Sequence, residues 1–87
     1  MLTQAIIISN PTGIHARPAA LIVSCAKKFT SIIQLTHGDK VVAIKSVINI
    51  LRLGLECNDQ ITLSVDGSDE QEALTALVDL FASFTQH

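Results

Sequence analysis

The spacing of apolar residues changes several times along this 87-residue chain, and each spacing is typical of one kind of element. From Ala16 to Phe29 the spacing is three or four residues, which is the stripe of a helix lying on a core. This stripe consists of Ala19, Ile22, Val23, Ala26 and Phe29. Cys25 falls off the stripe, so we expect it to be only partly buried. A second stripe, formed by Leu74, Leu77, Val78, Phe81 and Phe84, predicts a helix near the C-terminus.

Other segments have the composition or alternation of β-strands. Residues 3–8 are a β-branched run, and residues 61–65 alternate strictly between apolar and polar side chains. Residues 32–44 contain two short β-prone runs separated by Gly38 and Asp39. This segment is therefore predicted to be a hairpin.

Polar residues mark where two helices begin. Ser46 precedes a short apolar segment that ends at Gly54, which predicts a capped helix of about two turns. Ser68 and Gln71 have the spacing of a capping box for the last helix. The predicted order of elements is β-α-β-β-α-β-α.

This order and the one-sided polarity of the strands indicate a fold class. Polar residues at alternate strand positions leave one face of the sheet to solvent, and they are Gln34, Thr36, Thr62 and Ser64. All three helices then cover the other face, and right-handed crossovers place the last strand between the first and the second. We predict one α+β domain over residues 1–87, an open-faced two-layer sandwich with a four-stranded antiparallel sheet and three helices.

Composition argues against several classes of function. The net charge is −2 and no run of Lys or Arg is present, so we expect no nucleic-acid binding. No apolar segment approaches the ~20 residues of a membrane span, and the N-terminus lacks the features of a signal peptide. We therefore expect a cytoplasmic protein whose Cys25 and Cys57 are reduced thiols. The cysteines and histidines have no metal-ligand spacing, so neither a metal nor another cofactor is expected.

The most informative segment is NPTGIHARPAA, residues 10–20, which places a histidine between a Pro/Gly loop and an alanine-rich helix. Ser or Asp would cap that helix better than His15. The N–H groups of Ala16 and Arg17 are expected to face an anion at the positive end of the helix dipole. Arg17 adds a guanidinium suited to phosphate oxygens, and histidine can form covalent intermediates. From the residues alone two interpretations stay open: a phosphoryl site, and an exposed loop histidine beside an ordinary arginine, which is the commoner case for a lone His-x-Arg pair.

A second candidate surface lies on the short helix, which is apolar on nearly all sides. Since a helix on a sheet hides one face, we predict that Ile50 and Leu53 are buried. Val47, Ile48 and Leu51, here called the docking patch, would then stay partly exposed for a partner. The alternative is that all five residues are core. Cations that can steer acidic partners towards the patch are Lys27, Lys28, Lys40, Lys45 and Arg52.

The segment NPTGIHARPA resembles the active-site motif of HPr, the histidine phosphocarrier family of the bacterial phosphoenolpyruvate:sugar phosphotransferase system. A second block, from Lys45 to Gly54, is similar to that family's regulatory-serine segment. The resemblance extends in register over essentially the whole chain, including the order of strands and helices.

The resemblance implies a role for each matching residue. His15 would accept a phosphoryl group on Nδ1 from enzyme I, whose donor is phosphoenolpyruvate, and pass it to enzyme II A domains for sugar uptake. Arg17 would orient the phosphoryl group and balance its charge. Ser46 would be a regulatory phosphorylation site, served by a serine kinase or phosphorylase and read by a transcriptional regulator. The protein would then be a monomeric, stoichiometric carrier rather than an enzyme.

Two alternatives remain open within this resemblance. The segment from Ser46 to Leu51 and the segment LVDLF, residues 77–81, are similar to the nitrogen-related regulatory branch of the family. Lys45 and the Arg52–Gly54 triplet favour the sugar branch instead. The second alternative is an interaction module of the same fold that carries no phosphate, and the presence of both His15 and Arg17 argues against it.

Overall fold

The computed structural model describes residues 1–11 and 13–84, and its elements follow the predicted order. The strands are β1 (Leu2–Ile7), β2 (Ile32–His37), β3 (Lys40–Ala43) and β4 (Gln60–Asp66). The helices are α1 (Ala16–Ala26), α2 (Val47–Leu51) and α3 (Glu70–Ser83). Strand ends differ from the predicted ones by a residue or so, within the usual scatter of element boundaries.

The sheet has the strand order β1-β4-β2-β3, and all neighbouring strands are antiparallel. This arrangement confirms the predicted position of the last strand between the first two. In the register of β2 and β4, Leu35 lies opposite Leu63, and Thr36 lies opposite Thr62. The two leucines are fully buried and the two threonines are half-buried. Successive pairs therefore face the core and the open side of the sheet, as the alternation predicts.

The core between helices and sheet is mostly aliphatic. Its fully buried members include Ala19 and Ile22 of α1, Leu77 of α3, and Leu35 and Leu63 of the sheet. The rings of Phe81 and Phe84 meet edge to face with centres 6.0 Å apart at the end of α3. Across residues 1–11 and 13–84, no helix is both long and apolar enough to span a bilayer.

Helix α1 ends three residues before the predicted end at Phe29. After Ala26 the chain tightens, since the N–H of Lys28 donates to the Cys25 carbonyl and that of Phe29 to the Ala26 carbonyl. These bonds span three residues rather than four. Phe29 is half-buried and packs against the core from the loop. The stripe thus predicted the burial of Phe29 correctly and its helical state incorrectly.

The capping box predicted at Ser68 and Gln71 is wrong. Asp69 is the N-cap residue of α3, and its side chain does not cap the helix. Its carboxylate accepts hydrogen bonds from the backbone N–H of Thr30 at 2.8 Å, from that of Ser31 at 3.0 Å and from the Ser31 hydroxyl. These donors, the Ser31 hydroxyl first, lower the pKa of Asp69. Asp69 therefore ties the α1–β2 loop to the start of α3.

Both cysteines are free thiols in the structure. Cys25 is half-buried, as its place off the α1 stripe predicts, and burial raises the pKa of its thiol. Cys57 is exposed in the loop before β4.

Candidate functional site

The loop that leads into α1 is hydrogen-bonded to the segment that follows α2. The N–H of Ile14 donates to the Leu55 carbonyl at 3.0 Å, and that of Gly13 donates to the Asn10 carbonyl at 2.9 Å. Gly13 has a φ of +73°, and a Cβ there would overlap the Leu55 carbonyl oxygen. Only glycine satisfies both conditions without strain. The local backbone therefore sets the position of the next residue, His15.

His15 is the N-cap residue of α1, as predicted, with extended backbone angles of −111° and −166°. Its carbonyl accepts the N–H of Ala19 at 3.0 Å, so the backbone begins the helix in the ordinary way. The side chain makes no capping hydrogen bond and is exposed. The imidazole is thus held at the helix end while its nitrogens remain accessible to a reactant.

The first turn of α1 presents a positive environment. Ala16 and Arg17 are exposed, and their N–H groups have no acceptor within the helix. Pro18 comes third and has no N–H to lose. No acidic residue lies in this first turn. The positive end of the helix dipole is therefore available to an anion that approaches His15.

His15 and Arg17 open onto the same cleft of about 260 Å³, which Pro18, Leu21 and Phe84 also line. The structure thus brings together the two side chains that the sequence suggested for a phosphoryl site. The sequence pattern did not identify Leu21 as part of this site. Leu21 is 45% exposed and lines the cleft. Leu21 could have been found from the sequence, because it is a large apolar residue that lies off the buried stripe of α1.

Ser46 is the N-cap residue of α2, and its hydroxyl accepts the N–H of Asn49 at 3.3 Å. The predicted cap is therefore confirmed. The side-chain amide of Asn49 donates to the Ala43 carbonyl at 3.2 Å and fixes the start of α2 to the end of β3. Ser46 itself is half-buried.

The docking patch has the predicted exposure. Ile48 is 62% exposed, Leu51 is 39% exposed and Val47 is half-buried. Ile50 and Leu53 are buried, so the alternative in which all five residues are core is wrong. Helix α2 packs against α1, which carries His15 at its N-terminus. The patch thus lies on a helix that packs against α1, whereas the cleft is lined by α1 residues and Phe84.

Comparison with known proteins identifies close relatives over most of the chain. A family model described as the PTS HPr component phosphorylation site matches residues 2–83. The phosphocarrier protein HPr of Mycoplasma genitalium is 49% identical over 72 residues, which cover 82% of each chain.

Solved structures are similar over the same range. HPr-C-His from Thermoanaerobacter tengcongensis aligns with a TM-score of 0.93 at 45% identity, covering 100% of this chain and 98% of that chain. A structure described as an HPr dimer from the same organism aligns with a TM-score of 0.76 at 49% identity, covering 90% of each chain.

Proposed function

Because this chain belongs to the HPr family, the phosphocarriers of the phosphotransferase system, we propose that His15 is the residue that carries the phosphoryl group. The observation that carries this proposal is the exposed imidazole at the N-cap of α1, in one cleft with Arg17. A side chain that only capped the helix would direct an acceptor atom at a backbone N–H, and His15 does not.

The chemistry requires a nucleophile and a set of positioned donors. The Nδ1 lone pair of neutral His15 attacks phosphorus, a P–N bond forms, and the bond to the donor breaks with its electron pair. The N–H groups of Ala16 and Arg17 and the Arg17 guanidinium stabilise the negative charge on the transferred oxygens. The same steps in reverse pass the group to an acceptor, so the protein is a stoichiometric carrier rather than an enzyme.

The donor we propose is enzyme I, which is phosphorylated by phosphoenolpyruvate. The acceptors are enzyme II A domains that serve sugar uptake, and the transfers take place in the cytoplasm. The docking patch supports this assignment because exposed apolar side chains on a helix that packs against α1 are suited to transient protein partners. Arg17, Arg52 and Lys45 add positive charge around these two helices and favour acidic partner surfaces. Donors of the sugar and nitrogen-related branches would be distinguished by the rate at which each one phosphorylates the protein.

Phosphoenolpyruvate with a catalytic amount of enzyme I should add one phosphoryl group, seen by intact mass. The bond should be labile in acid and stable in base, as expected of a phosphoramidate. His15→Ala should accept no such group, and Arg17→Ala should accept it about 10²-fold more slowly if Arg17 acts as other electrostatic stabilisers do. Val41→Ala truncates an exposed side chain of the β2–β3 hairpin and should behave as wild type. Acid-labile phosphate on His15→Ala at the normal rate would show that another residue is the acceptor.

A further inference from the structure

The loop before His15 is supported by residues 53–59, here called the buttress segment. Beyond the bond between Ile14 and Leu55, the N–H of Asn58 donates to the Ile8 carbonyl at 2.7 Å. The N–H of Ile8 in turn donates to the Asp59 carbonyl at 2.8 Å. The chain on the way from β1 to His15 is thus bonded to the buttress segment at both ends.

The buttress segment is irregular and needs support of its own. It contains two residues in the left-handed region, Gly54 with a φ of +61° and Asn58 with a φ of +74°. Asp59 closes a turn within it, because its carboxylate accepts the N–H of Glu56 at 2.8 Å while its own N–H donates to the Glu56 carbonyl at 3.0 Å. The position of Leu55 therefore depends on contacts made at the two ends of the segment.

A single imidazole from the sheet contacts both of those ends. His37, the last residue of β2, places Nδ1 3.3 Å from the Leu53 carbonyl oxygen and Nε2 3.4 Å from Oδ2 of Asp59. When Nδ1 carries the proton, the ring can donate to the Leu53 carbonyl, and a second proton on Nε2 would add an ion pair with Asp59. The His37 side chain is 28% exposed, so solvent screens these contacts only in part.

We propose that His37 is a positioning residue for phosphoryl transfer. By holding Leu53 and Asp59, it keeps the Leu55 carbonyl in the place where it fixes Ile14 and hence the His15 imidazole. His37 does not line the cleft of His15 and Arg17, so it acts through the buttress segment. This inference rests on the proposed function of His15.

Three variants test the proposal in the enzyme I reaction. His37→Ala removes both contacts, whereas His37→Asn keeps an amide N–H near the position of Nδ1 and can still donate to the Leu53 carbonyl. Val41→Ala is the control, because Val41 is an exposed residue of the same hairpin and lies opposite Thr36 in the strand register.

We expect His37→Ala to lower kcat for phosphorylation by roughly 3- to 10-fold. Moving a reacting group by 1 Å costs ~10²-fold, and His37 affects the position of the His15 imidazole only indirectly. KM should stay within about twofold, because the docking patch is unchanged. His37→Asn should recover part of kcat, and Val41→Ala should match wild type. In amide hydrogen exchange, His37→Ala should lower the protection of Ile14 and Glu56 while the amides of β4 keep theirs.

Wild-type kcat in His37→Ala, or unchanged protection of Ile14, would overturn the proposal. A loss of protection that also includes β4 would assign His37 a general role in stability and overturn it as well. If His37→Ala does not fold, the same comparisons apply to His37→Asn. Failure of the wild-type protein to accept phosphate on His15 would refute the proposed function itself. A wild-type protein that accepts phosphate, together with an unchanged His37→Ala variant, would refute only the role of His37.

Discussion

At the scale of single residues, Gly13 provides a direct test of the support behind His15. Gly13→Ala places a Cβ against the Leu55 carbonyl and an alanine at a φ of +73°. Gly38→Ala is the matched control, since Gly38 has a φ of +61° but nothing within 4 Å of its would-be Cβ. In both variants an alanine must adopt a left-handed backbone conformation, which costs about 1–2 kcal/mol of folding free energy. Only in Gly13→Ala does the new Cβ also overlap the Leu55 carbonyl oxygen.

Gly13→Ala should therefore melt at a lower temperature than Gly38→Ala, where each kcal/mol corresponds to roughly 4–8 °C in a domain of this size. It should also slow phosphorylation of His15, because Ile14 must move away from Leu55. Thermal melts and the enzyme I assay measure the two effects. Equal melting temperatures for both variants would mean that the close approach of Gly13 to Leu55 contributes nothing.

Residue roles were predictable where the signal is local. His15 at the N-cap of α1 and Ser46 at that of α2 both follow from a few neighbouring residues. The local pattern places the capping box at Ser68 and Gln71, whereas Asp69 is the N-cap residue and its carboxylate bonds to residues 38 and 39 positions away. The contact of His37 with Asp59 is equally non-local. Such contacts depend on how elements pack, and no short pattern records them.

At the scale of elements, Asp69 joins the start of α3 to the α1–β2 loop, and this connection should depend on pH. The pKa of Asp69 is lowered in the folded protein. Its stabilising contribution is therefore complete above the ordinary value of about 3.9 and is lost as pH falls through the lowered folded pKa. Asp69→Asn should destabilise the protein most near neutral pH, and its deficit relative to wild type should shrink below about pH 4.

The measurement is the difference in melting temperature between Asp69→Asn and wild type across that range of pH. Asp79→Asn is a matched control, because it removes the same charge from α3 about 15 Å farther along the helix. It should leave the melting temperature close to wild type throughout. A deficit for Asp69→Asn that stays constant down to about pH 2 would contradict the ionic character of the connection.

Element types were predictable from periodicity, whereas element ends were not. The alternation in residues 61–65 and the stripe of α3 identified β4 and α3 because burial on one face imposes those periods. Helix α1 stops at Ala26 because the chain must turn towards β2 while Phe29 still reaches the core. A stripe reports which side chains are buried, and it does not report the backbone bonds that end a helix.

At the scale of the whole molecule, the strand order follows from the handedness of two crossovers, and it was predictable for that reason. One consequence is that α1 and α2 pack side by side on the sheet. The docking patch therefore lies on the helix next to the one that carries His15 and Arg17, and Ser46 stands at the start of that neighbouring helix. A change of charge at Ser46 should therefore affect partners more than the fold.

Two substitutions of Ser46 separate these effects. Ser46→Ala removes the acceptor for the Asn49 N–H, which typically costs ~1 kcal/mol, and adds no charge next to the docking patch. It should melt roughly 4–8 °C below wild type and accept phosphate on His15 at nearly the normal rate. Ser46→Asp keeps a capping oxygen, so its melting temperature should stay near that of wild type.

Ser46→Asp also places a negative charge beside Val47 and Ile48, with the same sign as the about −1.5 to −2 charges of a phosphoserine. That charge disfavours burial of the patch and repels an acidic partner surface, so enzyme I should phosphorylate His15 much more slowly in this variant, mainly through a higher KM. Melting curves and initial rates are measured on wild type, Ser46→Ala and Ser46→Asp. If Ser46 both caps the helix and controls docking, Ser46→Ala loses stability but keeps its rate, and Ser46→Asp keeps its stability but loses rate. Normal rates for Ser46→Asp, or unfolding of that variant, would leave Ser46 with the role of a helix cap alone.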